Sequence, residues 1–298
     1  MIPIIDAHHH IWQQEDLPWL MGPMVPRIFG PYESLRRDYP VTEFLQDLEG
    51  NHVEASVYIQ VNWGKGEELQ EVRWVSEVNK EFGWPHAIVS YVDLLSDTAP
   101  DMIRAQSEYP LMRGVRMQLH WHEDERYRFQ PEPDVMNQSI FRDNFRRLAD
   151  QGWSFDLQLF AGQMKDGAGL VADFPDTTFI LQHVGMLEDP SPTNREYWLD
   201  GLKRLAEHPN VVVKISGLGT FIHENSESHI ADVVGQALDI FGVQRCVFGS
   251  NFPIEKLWTK YDTLIATYRH VLSHLSEEDQ KAIFYDNASR IYRLSLNS

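Results

Sequence analysis

The stretch IDAHHHIW, residues 5–12, sets three histidines in a row close to the amino terminus. Imidazole titrates near neutral pH, gives or takes a proton, and binds zinc. The preceding run, Ile2 to Ile5, is apolar and partly β-branched, which favours a strand. Side chains on a strand alternate between faces, so Asp6, His8, His10 and Trp12 are expected on one face. Ile5, Ala7, His9 and Ile11 are expected on the other, where His9 would pack among apolar neighbours. Polar side chains recur in the same alternation further along. They are Gln60 and Asn62 in 53–63, Arg116, Gln118, His120 and His122 in 111–122, Asp156 and Gln158 in 154–160, and Lys214 and Ser216 in 210–216. LQHVG at 181–185 adds His183, and FGSNFP at 248–253 adds Asn251. Two histidines at i, i+2 with a third from another strand can bind zinc and leave a position for water. Without metal, the same groups can polarise a carbonyl or activate water. The chain carries no Gly-x-Ser-x-Gly elbow of a serine hydrolase.

Residues so far apart need a scaffold that gathers them. Short apolar runs occur at 2–12, 53–63, 85–94, 111–122, 154–160, 177–185, 210–219 and 245–254. Helix-like segments separate them, at 41–51, 67–84, 99–109, 134–152, 163–175, 193–209, 226–242 and 261–294. Thr42 is the expected N-cap of the first, and Gly152, Pro175, Pro209 and Gly242 mark the ends of others. Strict strand–helix alternation implies a parallel sheet. Eight such units predict one (β/α)8 TIM-type barrel over residues 1–298. An open doubly wound sheet would carry a glycine-rich phosphate loop after the first strand, where this chain has histidines. In a barrel the apolar strand faces pack on the helices, and the polar side chains point inward at the carboxyl ends, where barrel enzymes place their sites. The proline-rich segment 12–40 follows the first strand and reads as a lid over that site or a subunit contact. The loop 120–133, with Trp121, Tyr127 and Phe129, is expected to wall the same pocket.

Composition narrows the partners. Lysine and arginine total 26 against 44 acidic residues, a formal charge of -18, which disfavours nucleic acid and anionic membranes. A hydrophobic content of 43% is ample for a core of this size. The one cysteine, Cys246, allows no internal disulfide and suits a reducing, cytoplasmic setting. Neither a signal peptide nor a membrane span is evident. The expected partner is a small-molecule substrate, with a homodimer as an open alternative to a monomer.

The ordered set of His8-x-His10, RGVR at 113–116, LQHVG at 181–185, VVVKISGLG at 211–219 and FGSNFP at 248–253 resembles the amidohydrolase-related lactonases. That family lies within the amidohydrolase superfamily and includes sugar lactonases and 2-pyrone-4,6-dicarboxylate lactonase. The resemblance implies hydrolysis of a small polar lactone, of a sugar acid or carboxylated. Water would attack the ring carbonyl at the mouth of the barrel, with His8, His10 and His183 around it. The family usually ends its eighth strand in an aspartate that acts as general base. This chain has Asn251 there, and a carboxamide cannot take a proton near neutral pH. The base is then a histidine, His183 first and His120 or His122 behind it. Otherwise the reaction is a lactone isomerisation, decarboxylation or hydration that needs no such base, or the barrel only binds a ligand. Arg116 faces inward by parity and could grip a carboxylate or lactone oxygen. Arg113 falls on the other face, where an ion pair with an acidic helix residue is the plain alternative. Lys214 is expected to stabilise an oxyanion or the leaving hydroxyl. Trp12, Trp63, His120 and His122 are expected to contact substrate. If a metal is present it is zinc on His8, His10 and His183, while the neutral Asn251 and the nearby Lys214 favour a reaction that requires none.

Overall fold

The computed structural model describes residues 1–296. Its strands are β1 (Ile4–His9), β2 (Val53–Ile59), β3 (Ala87–Ser90), β4 (Met112–Val115), β5 (Ser154–Leu157), β6 (Phe179–Leu181), β7 (Val211–Ile215) and β8 (Cys246–Phe248). They pair in sequence order, each parallel to the next, as the alternation requires. The segment beyond β8 returns to β1: the N–H of Asn251 donates to His8 O at 2.7 Å, and that of His10 to Phe252 O at 2.7 Å. Those bonds bring the sheet round into a (β/α)8 barrel.

The helices follow the expected order: α1 (Val41–Leu48), α2 (Glu68–Phe82), α3 (Ala99–Ser107), α4 (Ser139–Ala149), α5 (Met164–Asp173), α6 (Pro192–Ala206), α7 (Glu227–Phe241) and α8 (Tyr261–Val271). Two local expectations fail. Thr42 lies inside α1, whose cap position is Pro40 with no side-chain bond. The expected helix 261–294 breaks after Val271 into Glu277–Lys281, a π-turn at Ala282–Asp286 and Asn287–Ile291. This broken tail matters to the barrel. Its Ala288, Ile291, Tyr292 and Leu294 pack with Ile5, Ala7, Val57, Val89, Ile180, Val212 and Val247. A largely apolar plug thus fills the lower barrel, and polar side chains occupy the upper part.

In β4, β5 and β7 the alternation holds, with Val115, Phe155, Leu157, Val211, Val213 and Ile215 in the helix-side core. In β1 it slips. Ile5 and Ala7 face the plug, whereas Asp6 faces the helices and accepts from the hydroxyl of Tyr261 on α8 at 3.1 Å. The pairing of β1 with β2 shifts between Asp6 and His9. Asp6 Oδ1 makes the bulge tolerable by accepting the N–H of His8 at 3.1 Å and of Ser250 at 2.8 Å. Asp6 therefore does not share a face with His8 and His10, contrary to the strict period of two. His9 turns outward and stacks on Phe44 of α1, ring centroids 3.9 Å apart, which is the packing role expected of it.

Candidate active site

A cavity of about 520 Å³ opens at the carboxyl ends of the strands. Its floor and walls include His10, Gln60, Asn62, Arg116, Gln118, His120, Gln158, His183 and Asn251. Trp12, Trp19, Arg27 and Phe29 close it from the 12–40 segment, and Arg126, Tyr127, Arg128 and Phe129 from the 120–133 loop. The first segment is thus a lid on the pocket. Trp121 is not on this wall; Arg128 lies over its ring at 5.1 Å.

His8 is fully buried beneath the floor, its ring 5.0 Å from His10 and 4.8 Å from His183. Neither of its nitrogens has a hydrogen-bond partner. His10 Nδ1 lies 2.7 Å from Ile59 O, and His183 Nδ1 lies 3.1 Å from Ser216 O and 3.0 Å from the Ser216 hydroxyl. A carbonyl only accepts, so both rings carry their proton on Nδ1 and leave a lone pair on Nε2. Burial lowers the pKa of His10 far below the usual imidazole range and that of His183 to about 3, with the Arg116 charge adding to both. These are neutral imidazoles held in one tautomer.

The backbone that presents His183 is strained. His183 and Val184 both adopt left-handed conformations, φ 52° and 50°, in the turn after β6. For a β-branched residue this is an outlier costing roughly 1–3 kcal/mol, and such strain collects at functional sites. Gly217, at φ +62°, accommodates the ring: a Cβ there would lie 2.5 Å from His183 Nδ1.

Arg116 is buried, donating to Gln60 O at 2.6 Å and to Gln158 Oε1 at 3.4 Å, while its Nε has no partner. Burial depresses its pKa to about 10. Arg113 donates to Pro110 O and Met112 O rather than to an acid. Lys214 is not on the cavity wall. It is fully buried in an ion pair with Asp156 at 2.9 Å, one layer below the floor, and Asp156 also accepts from Gln182 at 2.8 Å. Trp63 is also off the wall: the chain turns at Asn62, φ 59°, and the indole packs on Trp74 of α2 at 5.9 Å. His122 is held outside by the N–H of Asp124 on its Nδ1 at 2.9 Å, with Glu188 3.7 Å from its Nε2. His120 and Trp12 do reach the cavity. Sequence reasoning missed Glu255, a buried carboxyl directly behind Asn251; its only signal was an acid four residues after that asparagine.

Three neutral imidazoles, two with Nδ1 on a backbone oxygen and one without any partner, are the donor chemistry zinc prefers. Their placement does not match it. Among the described residues no three His, Cys, Asp or Glu side chains are positioned to hold a metal ion. The Arg116 and Lys214 charges also bear on the same histidines. No helix among the described residues is long and apolar enough to cross a membrane.

A parallel eight-stranded barrel with His-x-His on its first strand and a third histidine after its sixth defines an amidohydrolase-type enzyme scaffold. The chain belongs to the amidohydrolase family, whose pattern matches residues 5–294. It is 35% identical over 295 residues to the uncharacterized protein y4mH of Sinorhizobium fredii, covering 98% of this chain and 99% of that one. It is 28% identical to L-fucono-1,5-lactonase of Burkholderia multivorans over 97% of this chain and 96% of the other. An amidohydrolase of Burkholderia multivorans crystallised with bound zinc superimposes with a TM-score of 0.81 at 26% identity, covering 98% and 99% of the two chains.

Proposed function

We propose that the protein hydrolyses a small polar lactone by water attack on the ring carbonyl. The observation that carries this is the pair of neutral, tautomer-fixed histidines, His10 and His183, lining one cavity with Arg116. His183 Nε2 takes a proton from water as the water oxygen bonds to the carbonyl carbon. The carbonyl oxygen gains negative charge, which the N–H groups of Asn251 and the field of Arg116 offset. That same negative charge makes the imidazolium easier to form than in the empty cavity. The ring C–O bond then breaks, and the His183 proton passes to the leaving alkoxide. The hydroxy acid ionises and releases one proton to solvent.

The side chains of Gln60, Asn62, Gln118 and Gln158 suit a substrate bearing several hydroxyls, and Arg27, Arg126 and Arg128 at the mouth suit a carboxylate. The L-fucono-1,5-lactonase relative supports a sugar acid lactone. The reading takes the enzyme as cytoplasmic and metal-independent, either monomer or homodimer, with neither nucleic acid nor membrane as partner. The test is proton release from a panel of sugar acid and dicarboxylate lactones, on chelator-treated protein with and without added zinc. Turnover in the chelated sample is expected, and His183→Asn should lower kcat about 10²–10⁴-fold. Turnover only with zinc would assign the histidines as ligands instead. Asn251 favours a second reading, lactone isomerisation or decarboxylation. Substrate consumed without the proton yield of hydrolysis would establish it.

A further inference from the structure

The segment 12–40 carries three arginines, and two of them are committed. Arg36 donates to Gly22 O at 3.0 Å and Arg37 to Glu43 Oε1 at 2.7 Å. Arg27 is different. It is half-buried, its Nε is buried without a hydrogen-bond partner, and no carboxylate pairs with it among the described residues. A buried donor left unsatisfied is uncommon in a folded protein, and a desolvated cation without a counter-charge costs stability. The side chain is nevertheless held in place. Its guanidinium lies over the Trp19 ring at 5.6 Å, and that indole is fixed by donating to Val61 O at 2.9 Å. The turn that carries Arg27 is closed by the Gly30 N–H on Arg27 O at 3.0 Å. Gly30 in turn abuts His223: a Cβ there, at φ +73°, would lie 2.8 Å from the His223 ring.

The other arginines at the mouth repeat the contrast. Arg126 is taken by Asp124, its Nε 3.0 Å from both carboxylate oxygens. Arg128 donates to His122 O at 3.0 Å and to Glu123 O at 2.9 Å, with Glu125 3.9 Å away. Arg27 is thus the uncommitted guanidinium at this mouth, on a chain whose formal charge of -18 otherwise repels anions. It also lies where two cavities meet. Beside the first, a second cavity of about 420 Å³ shares Arg27, Tyr127 and Phe221 with it and adds His223 and Glu33. Cavities of several hundred Å³ take drug-sized ligands, so the pair extends well past one lactone ring. We propose that Arg27 and the second cavity form an anion subsite: the substrate is a lactone bearing a carboxylate or phosphate remote from its ring, and Arg27 holds that group where the two cavities join.

The chemistry follows from the shape of the guanidinium. With Nε buried, the two Nη groups are the part that opens on the cavities. They present a planar fork that meets two oxygens of a carboxylate or phosphate at once. The Trp19 face beneath keeps that fork oriented before the ligand arrives. Tyr127 and Phe221, shared by both cavities, give the carbon skeleton between ring and anion an apolar wall. A neutral sugar lactone would leave the fork unmatched. The inference deepens the lactonase reading and rests on it for the ring, but not for the anion.

Binding and turnover test it separately. Calorimetry on the full-length protein compares gluconate, glucarate and 6-phosphogluconate. All three share a carboxylate at one end; glucarate adds a second at the far end, and 6-phosphogluconate a phosphate. At least one of these two should bind about tenfold more tightly than gluconate, and the one that does names the anion. Arg27→Gln should remove most of that advantage. Arg27→Lys, which keeps the charge and loses the fork, should fall between. In kinetics, the lactones of glucarate and 6-phosphogluconate are compared with neutral galactono-1,4-lactone. Wild-type kcat/KM should favour an anionic lactone about tenfold, through KM, and Arg27→Gln should erase the preference. Equal binding of all three acids, binding of none, or an advantage that survives Arg27→Gln overturns the inference. If no lactone is turned over, the hydrolase reading falls, and the acids still decide this one. If neutral and anionic lactones are turned over alike, the hydrolase reading stands and the anion subsite falls.

Discussion

Replacing Lys214 by methionine separates a structural ammonium from a catalytic one. Lys214 Nζ and Asp156 Oδ2 lie 2.9 Å apart, both side chains with no exposure to solvent. Removing the cation leaves a buried carboxylate whose remaining help is the Gln182 bond at 2.8 Å and the more distant Arg116 charge. Breaking such a pair costs about 3–5 kcal/mol. A second route gives the same size. Asp156 can escape by protonating, and holding an acid neutral at pH 7 against an unfolded pKa of about 3.9 costs about 4 kcal/mol at ~1.4 kcal/mol per unit. The sign follows: a raised folded pKa makes the loss grow with pH above about 4 and vanish below it. Urea unfolding of Lys214→Met should therefore show a deficit of about 4 kcal/mol at pH 7 that shrinks to about 1–2 at pH 5. Lys214→Met with Asp156→Asn should recover most of the pH 7 loss. If the double variant is stable and also turns over substrate, Lys214 serves the fold. A single-variant deficit under about 1 kcal/mol, or one that does not change with pH, would refute the uncompensated-carboxylate reasoning.

Two further outcomes follow from buried charge. Burial holds His9, His120 and His183 at pKa values of about 3, with His8 and His10 also well depressed. Depressed imidazoles stabilise the fold above the unfolded value near 6.5, and that contribution drains as pH falls toward 3, by up to about 1.4 kcal/mol per unit for each group. The urea midpoint should drop steeply from pH 6 to pH 5; an unchanged midpoint would show that these rings are not desolvated. For Arg116→Met, loss of a charged donor to substrate should raise KM about 10–100-fold, roughly 1.5–3 kcal/mol; an unaltered KM would remove Arg116 from the binding surface.

The barrel was legible because a parallel sheet needs only local information. Each strand announces itself by apolar alternation and each crossover by helical spacing, and β4, β5 and β7 present their polar side chains inward as that period requires. Arg116 reaches the cavity for the same reason, whereas His10 follows the β1 bulge and His183 and Asn251 are presented by left-handed residues beyond β6 and β8. What the alternation could not contain is any contact made across the chain. The β1 bulge exists because Asp6 accepts the N–H of Ser250, 244 residues away. Lys214 looked free to meet substrate because its partner, Asp156, is 58 residues distant. Trp63 left the wall because one left-handed residue, Asn62, ended the strand's parity. Glu255 is the sharpest case. An acid in a turn after proline reads as solvated, and only the closure of Trp258 and the Gly219 loop over it makes it a buried acid.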